Sequence, residues 1–244
     1  MTNFLIFVAV AAGQLHNLYP AKAAVFRHDS PLRFLAKIKM RGSTICSGAM
    51  YRENVVITTA THLQQPRKLY KVNVPKFTDS LRYLSYNVLD IHIHSNFSFS
   101  SKPKSNLTIV ILKRTERMMT GMRLDAEFGY EVGFPAHMVG WGEVSKRNTF
   151  HEASLEINLP IFDPIECNYI HRGSVNPKLD MCAGHSIGNH DANFFLDASP
   201  IFFSYKGHQY LMGLFSWADT YDFEYHPIVY TRVSTFISWI NAHA

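Results

Sequence analysis

The sequence predicts an all-β fold closed by one C-terminal α-helix. From Leu32 onward the apolar residues fall in short alternating or continuous runs, each broken by Gly, Pro, Asn or Ser, which is the pattern of many short strands. Helical spacing is nearly absent until the tail, from about Val233 to Ala242, where it becomes amphipathic. No internal repeat, linker or low-complexity segment divides the 244 residues, and 47% hydrophobic content supplies one sizeable core.

Taken in order, the chain begins with an apolar run from Phe4 to Ala12 that ends in the small residues Ala9, Ala11, Ala12 and Gly13. Residues 1–13 therefore read as a signal peptide for secretion, too short to span a bilayer, and no later stretch approaches about 18 uninterrupted apolar residues. Residues 14–31 form an N-terminal segment, and residues 32–244 the folded domain. In the first strand run Leu32, Phe34, Ala36, Ile38 and Met40 share one face, with Arg33, Lys37 and Lys39 on the other. Val88 to His94 is a second run of strand character. Strands at this spacing build a sandwich or a barrel.

Composition narrows the function. Lys and Arg number 24 against 19 Asp and Glu, giving a formal charge of +5. The positive residues are scattered rather than interleaved with aromatics in a patch, which argues against a nucleic-acid partner. His92 and His94, two apart on one strand face, lack further ligands to complete a metal shell, so that face is expected to be solvated and neither metal nor cofactor is expected. Asn96-Phe97-Ser98 is a glycosylation sequon in a Ser-rich, exposed stretch, and Asn106-Leu107-Thr108 is a second. The cysteine count, Cys46, Cys167 and Cys182, is odd, leaving at least one thiol without an intrachain partner.

Chemistry is concentrated in a series of motifs: Ile57-Thr58-Thr59-Ala60-Thr61-His62, Asn106 to Leu112, Val139-Gly140-Trp141-Gly142, Asp191 to Pro200, Phe215-Ser216-Trp217, His226 to Val233 and Phe236 to Ile240. In their wording, order and spacing these resemble the chymotrypsin-like serine proteases, from about Cys46 to the end of the chain. The resemblance implies two antiparallel six-stranded β-barrels with a C-terminal α-helix.

It also implies a degenerate site. His62 stands where the family keeps its general base, Asn106 where it keeps the orienting aspartate, and Asp197 where it keeps the nucleophilic serine. Leu196 replaces the aspartate that pairs with the new amino terminus of an activated member, and Phe195 replaces an oxyanion-hole glycine. A carboxylate cannot replace a base-activated hydroxyl in amide cleavage, and an Asp-to-Asn change at the orienting position costs about 10⁴ in kcat by favouring the wrong histidine tautomer. No catalytic set is intact in any register. Asp191 matches the carboxylate that selects Lys or Arg but is expected to be solvated or paired locally rather than to bind substrate, and Ser216 matches a pocket-wall residue. Ala218 and Ile228 stand where active relatives commonly have glycines, so Ile228 is expected to fill the pocket.

By the same resemblance Cys167 and Cys182 form a disulfide, while the partner expected for Cys46 is Leu63, leaving Cys46 as a buried thiol. The second sequon coincides with the old catalytic position, which the fold shields. Lys22-Ala23-Ala24-Val25 is the nearest wording to an activation site and lacks the glycine pair. The implied function is that of a secreted, inactive homologue that binds a protein partner, an active serine protease or its substrate, as cofactor, decoy or regulator. Two alternatives are a divergent but active trypsin-like endopeptidase and a structural secreted protein linked through Cys46.

Overall fold

The computed structural model describes residues 22–23, 31–76, 79–113, 121–124, 131–146, 149–184, 197–219 and 226–244. Six strands close a first barrel: β2 (Leu35–Met40), β3 (Ser43–Arg52), β4 (Val55–Thr58), β5 (Tyr70–Lys76), β6 (Asp79–Ile93) and β7 (Thr108–Leu112). Their ring order is β2-β3-β4-β7-β6-β5, antiparallel throughout, so no edge is left to pair with another chain.

A second sheet of eight strands runs β1 (Lys22–Ala23), β10 (Thr149–Pro160), β9 (Pro135–Lys146), β12 (Pro200–Tyr205), β13 (His208–Trp217), β14 (Ile228–Arg232) and β11 (Asp180–Ala183), with β8 (Arg123–Leu124) added parallel to β13. Its strand ladder is open between β10 and β11. The ring is completed just beyond β10, where Ile161 bridges Ala183 and where Phe162 N–H donates to the Cys182 carbonyl (2.9 Å) and Gly184 N–H to the Pro160 carbonyl (3.0 Å). The second unit is thus a six-stranded barrel whose last seam is one bridge wide, with β1 and β8 added outside the ring. Within the segment expected to precede the domain, Lys22 and Ala23 pair with Glu156 and Leu155 of β10.

The alternation expected from Leu32 to Met40 holds only in part. Pro31 to Phe34 forms a 3₁₀ turn, and Leu35, Ala36 and Ile38 are all fully buried. Strand β2 lies in a barrel wall with the second sheet's β9 against it, so residues on both of its faces leave water. The run at Val88 to His94 belongs to the much longer β6.

Two helices are described rather than one. Helix α1 (Pro164–Ile170) starts at Asp163-Pro164: the Asp163 carboxylate accepts from Ile165 N–H (2.8 Å) and Glu166 N–H (2.7 Å), and proline suits the first helical position. At seven residues it is too short for a period to show in sequence. The tail starts as a 3₁₀ turn over Val233–Phe236 and continues as α2 (Ile237–His243). Val233, Phe236 and Ile240 join the first barrel's core, while Tyr51 donates to Asn241 Oδ1 (2.8 Å) and Arg52 to the Ala244 carbonyl (3.0 Å). The tail that leaves the second barrel therefore fastens onto the first. His92 and His94 are half-buried rather than solvated, because α2 covers them: His94 packs against Phe236 and Trp239, and His92 faces His243.

Candidate functional site

The site lies at the junction of the barrels, where the turn after β4, the segment before β7, the turn before β12 and the end of β13 converge. His62, Asn106, Asp197 and Ser216 come from these four places.

Asn106 is the hub and is only 1% exposed. Its Oδ1 accepts from Ala60 N–H (2.8 Å), Thr61 N–H (3.1 Å) and the Thr61 hydroxyl (3.0 Å), and its Nδ2 donates to Ser216 Oγ (3.0 Å). Its own carbonyl accepts from Thr231 Oγ1 (3.0 Å). A buried amide with this many partners fixes the turn that carries His62, since each bond would cost about 1–3 kcal/mol to leave unmade. Asn106 thus acts on His62 through the backbone of Ala60 and Thr61, and among the described residues its side chain makes no hydrogen bond to the imidazole.

The imidazole is engaged from the other side. His62 Nε2 meets Asp197 Oδ2 at 2.5 Å, the two side chains being 32% and 39% exposed. The sequence predicts a histidine without a hydroxyl to serve, and the structure supplies it with a carboxylate. Asp197 is held by its backbone: Ser47 N–H donates to the Asp197 carbonyl (2.8 Å), Ala198 N–H to the Phe215 carbonyl (3.0 Å) and Phe215 N–H to the Ser199 carbonyl (3.0 Å). Ala198 sits in the left-handed region (φ 62°), a conformation that favours glycine, and those flanking bonds hold it there.

Of the pocket residues, Ser216 is buried and committed to Asn106, and Ala218 is half-buried. Ile228 is 2% exposed and packs in the second barrel's core with Phe215 and Tyr230. Asp191, Phe195 and Leu196 lie outside the described residues, as does the Lys-Ala-Ala-Val wording beyond Ala23. Cys167 and Cys182 are joined by a disulfide beneath α1, packed against Trp217 and Val229. Cys46 is unpaired and fully buried beside Thr58; burial pushes its thiol up to about 12, so the reactive thiolate is scarce.

One cluster next to this site is not visible in the sequence. Trp217, the residue after Ser216, packs edge-on against the buried His171, and His171 meets Asp219 and His226. Three such residues at 171, 219 and 226 form no local motif, so only folding reveals them.

Comparison with known proteins agrees with this architecture. The family profile described as Trypsin matches residues 24–240. Vitamin K-dependent protein C of Oryctolagus cuniculus is 23% identical over 237 residues, covering 89% of this chain and 50% of that protein. Serine proteinase stubble of Drosophila melanogaster is 25% identical over 213 residues, covering 81% of this chain and 27% of that protein. The chain thus spans half or less of the length of these two relatives. The solved structure of the Vibrio cholerae VesB protease superposes with a TM-score of 0.72 at 19% identity, over 91% of this chain and 66% of that one. With the profile covering most of its length, the chain belongs to the trypsin family and carries a trypsin-like serine protease domain.

Proposed function

We propose that this chain is a proteolytically inactive member of its family, secreted, and acting by binding a protein partner, an active serine protease or its substrate, as a cofactor, decoy or regulator. The observation that carries the reading is Asp197 Oδ2 at 2.5 Å from His62 Nε2. Proteolysis by this family needs a hydroxyl there, which the imidazole deprotonates as it attacks the scissile carbonyl. A carboxylate in hydrogen-bond contact with the same nitrogen has no proton to give up and holds the imidazole as a partner instead. The bonds of Asn106 to Ala60, Thr61 and Ser216 support the same reading, because they keep the shape of the old site without a carboxylate behind the imidazole.

Secretion rests on the apolar run and small residues of positions 1–13. Among the described residues no helix is long and apolar enough to cross a membrane. Asn96 is exposed and is the proposed glycosylation site, whereas the fold leaves no room for a glycan on the buried, hydrogen-bonded Asn106 amide.

The test is labelling of the purified protein with a fluorophosphonate, which reports an activated serine by a covalent mass increase. The reading expects no adduct under conditions that label trypsin fully. A stoichiometric adduct, on any serine, would overturn it.

A further inference from the structure

The cluster of His171, Asp219 and His226 is built differently from a simple ion pair. It joins three segments: the turn after α1, the residue pair that follows β13, and the approach to β14. His171 is fully enclosed at its side chain, and Asp219 and His226 are 34% and 26% exposed. The Pro227 carbonyl lies 2.9 Å from His171 Nε2; a carbonyl can only accept, so Nε2 carries its hydrogen. That leaves Nδ1 facing Asp219 Oδ2 at 3.1 Å, a contact that is favourable only with a cation between them, whether a proton or a metal ion.

Asp219 divides its two oxygens. Oδ1 faces the Lys102 ammonium at 3.5 Å, and Oδ2 faces both histidines, with His226 Nδ1 at 3.8 Å. The carboxylate is thus held at Oδ1 by Lys102 and presents Oδ2 to the two imidazoles. Two imidazole nitrogens and one carboxylate oxygen, all within 4.8 Å of one another, can be offered to one face of a coordination tetrahedron. Around zinc, with bonds of about 2.0–2.1 Å, the edges of that tetrahedron are about 3.3 Å. The 3.1 Å and 3.8 Å separations lie on either side of this value.

We propose that His171 Nδ1, His226 Nδ1 and Asp219 Oδ2 bind one borderline divalent transition metal ion of the zinc type, with water in the fourth position. The Pro227 carbonyl is the outer partner that fixes the tautomer of His171, and Lys102 orients the carboxylate from behind, the usual support for such ligands. Calcium and magnesium, which demand oxygen shells, do not suit two imidazoles. The ion would tie the chain just beyond Trp217 to the turn after α1, beside the junction that holds Asn106 and His62.

The test is calorimetric titration of the full folded chain, stripped with chelator, using zinc chloride alone at neutral pH. One saturable equivalent is expected, with none for calcium chloride. Asp219→Asn and His226→Gln should each weaken binding by about tenfold or more while leaving the metal-free circular dichroism unchanged; His171, being buried, is left intact. Absence of a saturable equivalent, or undiminished binding by both variants, overturns the proposal. Should either variant fail to fold, cobalt substitution of the unaltered chain decides. Intense tetrahedral d–d absorption with no thiolate band supports the site, and weak octahedral absorption contradicts it.

Discussion

His62 Nε2 and Asp197 Oδ2 face each other across 2.5 Å, one from the turn after β4 in the first barrel and one from the turn before β12 in the second. The pair links the two barrels at the place where the family's chemistry would occur, yet both side chains keep about a third of their surface in water. Pairs at that exposure contribute roughly 0–1 kcal/mol. Asp197→Ala should therefore change the free energy of unfolding by no more than about 1 kcal/mol in urea titration. A loss of several kcal/mol would mean that the pair holds the barrels together.

Asn106 should matter far more. Asn106→Ala removes the acceptor of one buried and one part-buried backbone N–H group and the partner of Ser216. The expected loss is about 2–4 kcal/mol, from stranded polar groups and a cavity, read as a drop in the urea midpoint. Asn106→Asp keeps the three accepted bonds and lets the Ser216 hydroxyl reverse, so it should cost less than the alanine.

Asp180 gives the fold a dependence on pH. Burial pushes its carboxyl up to about 6, against the smaller opposing effects of Asn176 N–H and the Arg232 and Lys104 charges. A folded-state value above the unfolded one means that the protonated form is favoured by folding. Its contribution is full below about pH 4 and is lost as pH rises through about 6. Two units correspond to on the order of 3 kcal/mol. Relative to Asp180→Asn, the unaltered chain should lose stability between pH 4 and pH 7, as measured by paired urea curves. Parallel pH profiles would contradict the burial argument.

Cys46 should be silent in the native state. With its thiol buried and raised to about 12, it should resist Ellman's reagent at pH 7.5 and react once the chain is unfolded. The same burial weighs against a linkage between copies through this residue. Rapid stoichiometric reaction of the native protein would show that the core opens there.

The fold was legible because its signals are local and ordered. The His62, Asn106 and Ser216 motifs name their neighbourhoods, and the structure brings those neighbourhoods together around one buried amide. Other features left no local trace. The second barrel's seam is a single Ile161–Ala183 bridge, α1 is shorter than the window in which a helical period can be read, and Leu35 is buried because another sheet lies against its strand. The solvated face expected at His92 and His94 failed for the same reason, since what covers it is the distant α2. The contact of Asp197 with His62 depends on side-chain direction, which spacing does not carry, and the His171 cluster draws on three segments at once.

The central claim is that the imidazole at position 62 no longer drives peptide cleavage. It is tested most directly by comparing the purified chain with its His62→Ala variant on a fluorogenic peptide library that includes Lys and Arg at the scissile position. Any trace activity from a contaminant is shared by both preparations, so the difference isolates the site. Identical progress curves at background are expected. Turnover by the unaltered chain that disappears in His62→Ala would contradict it.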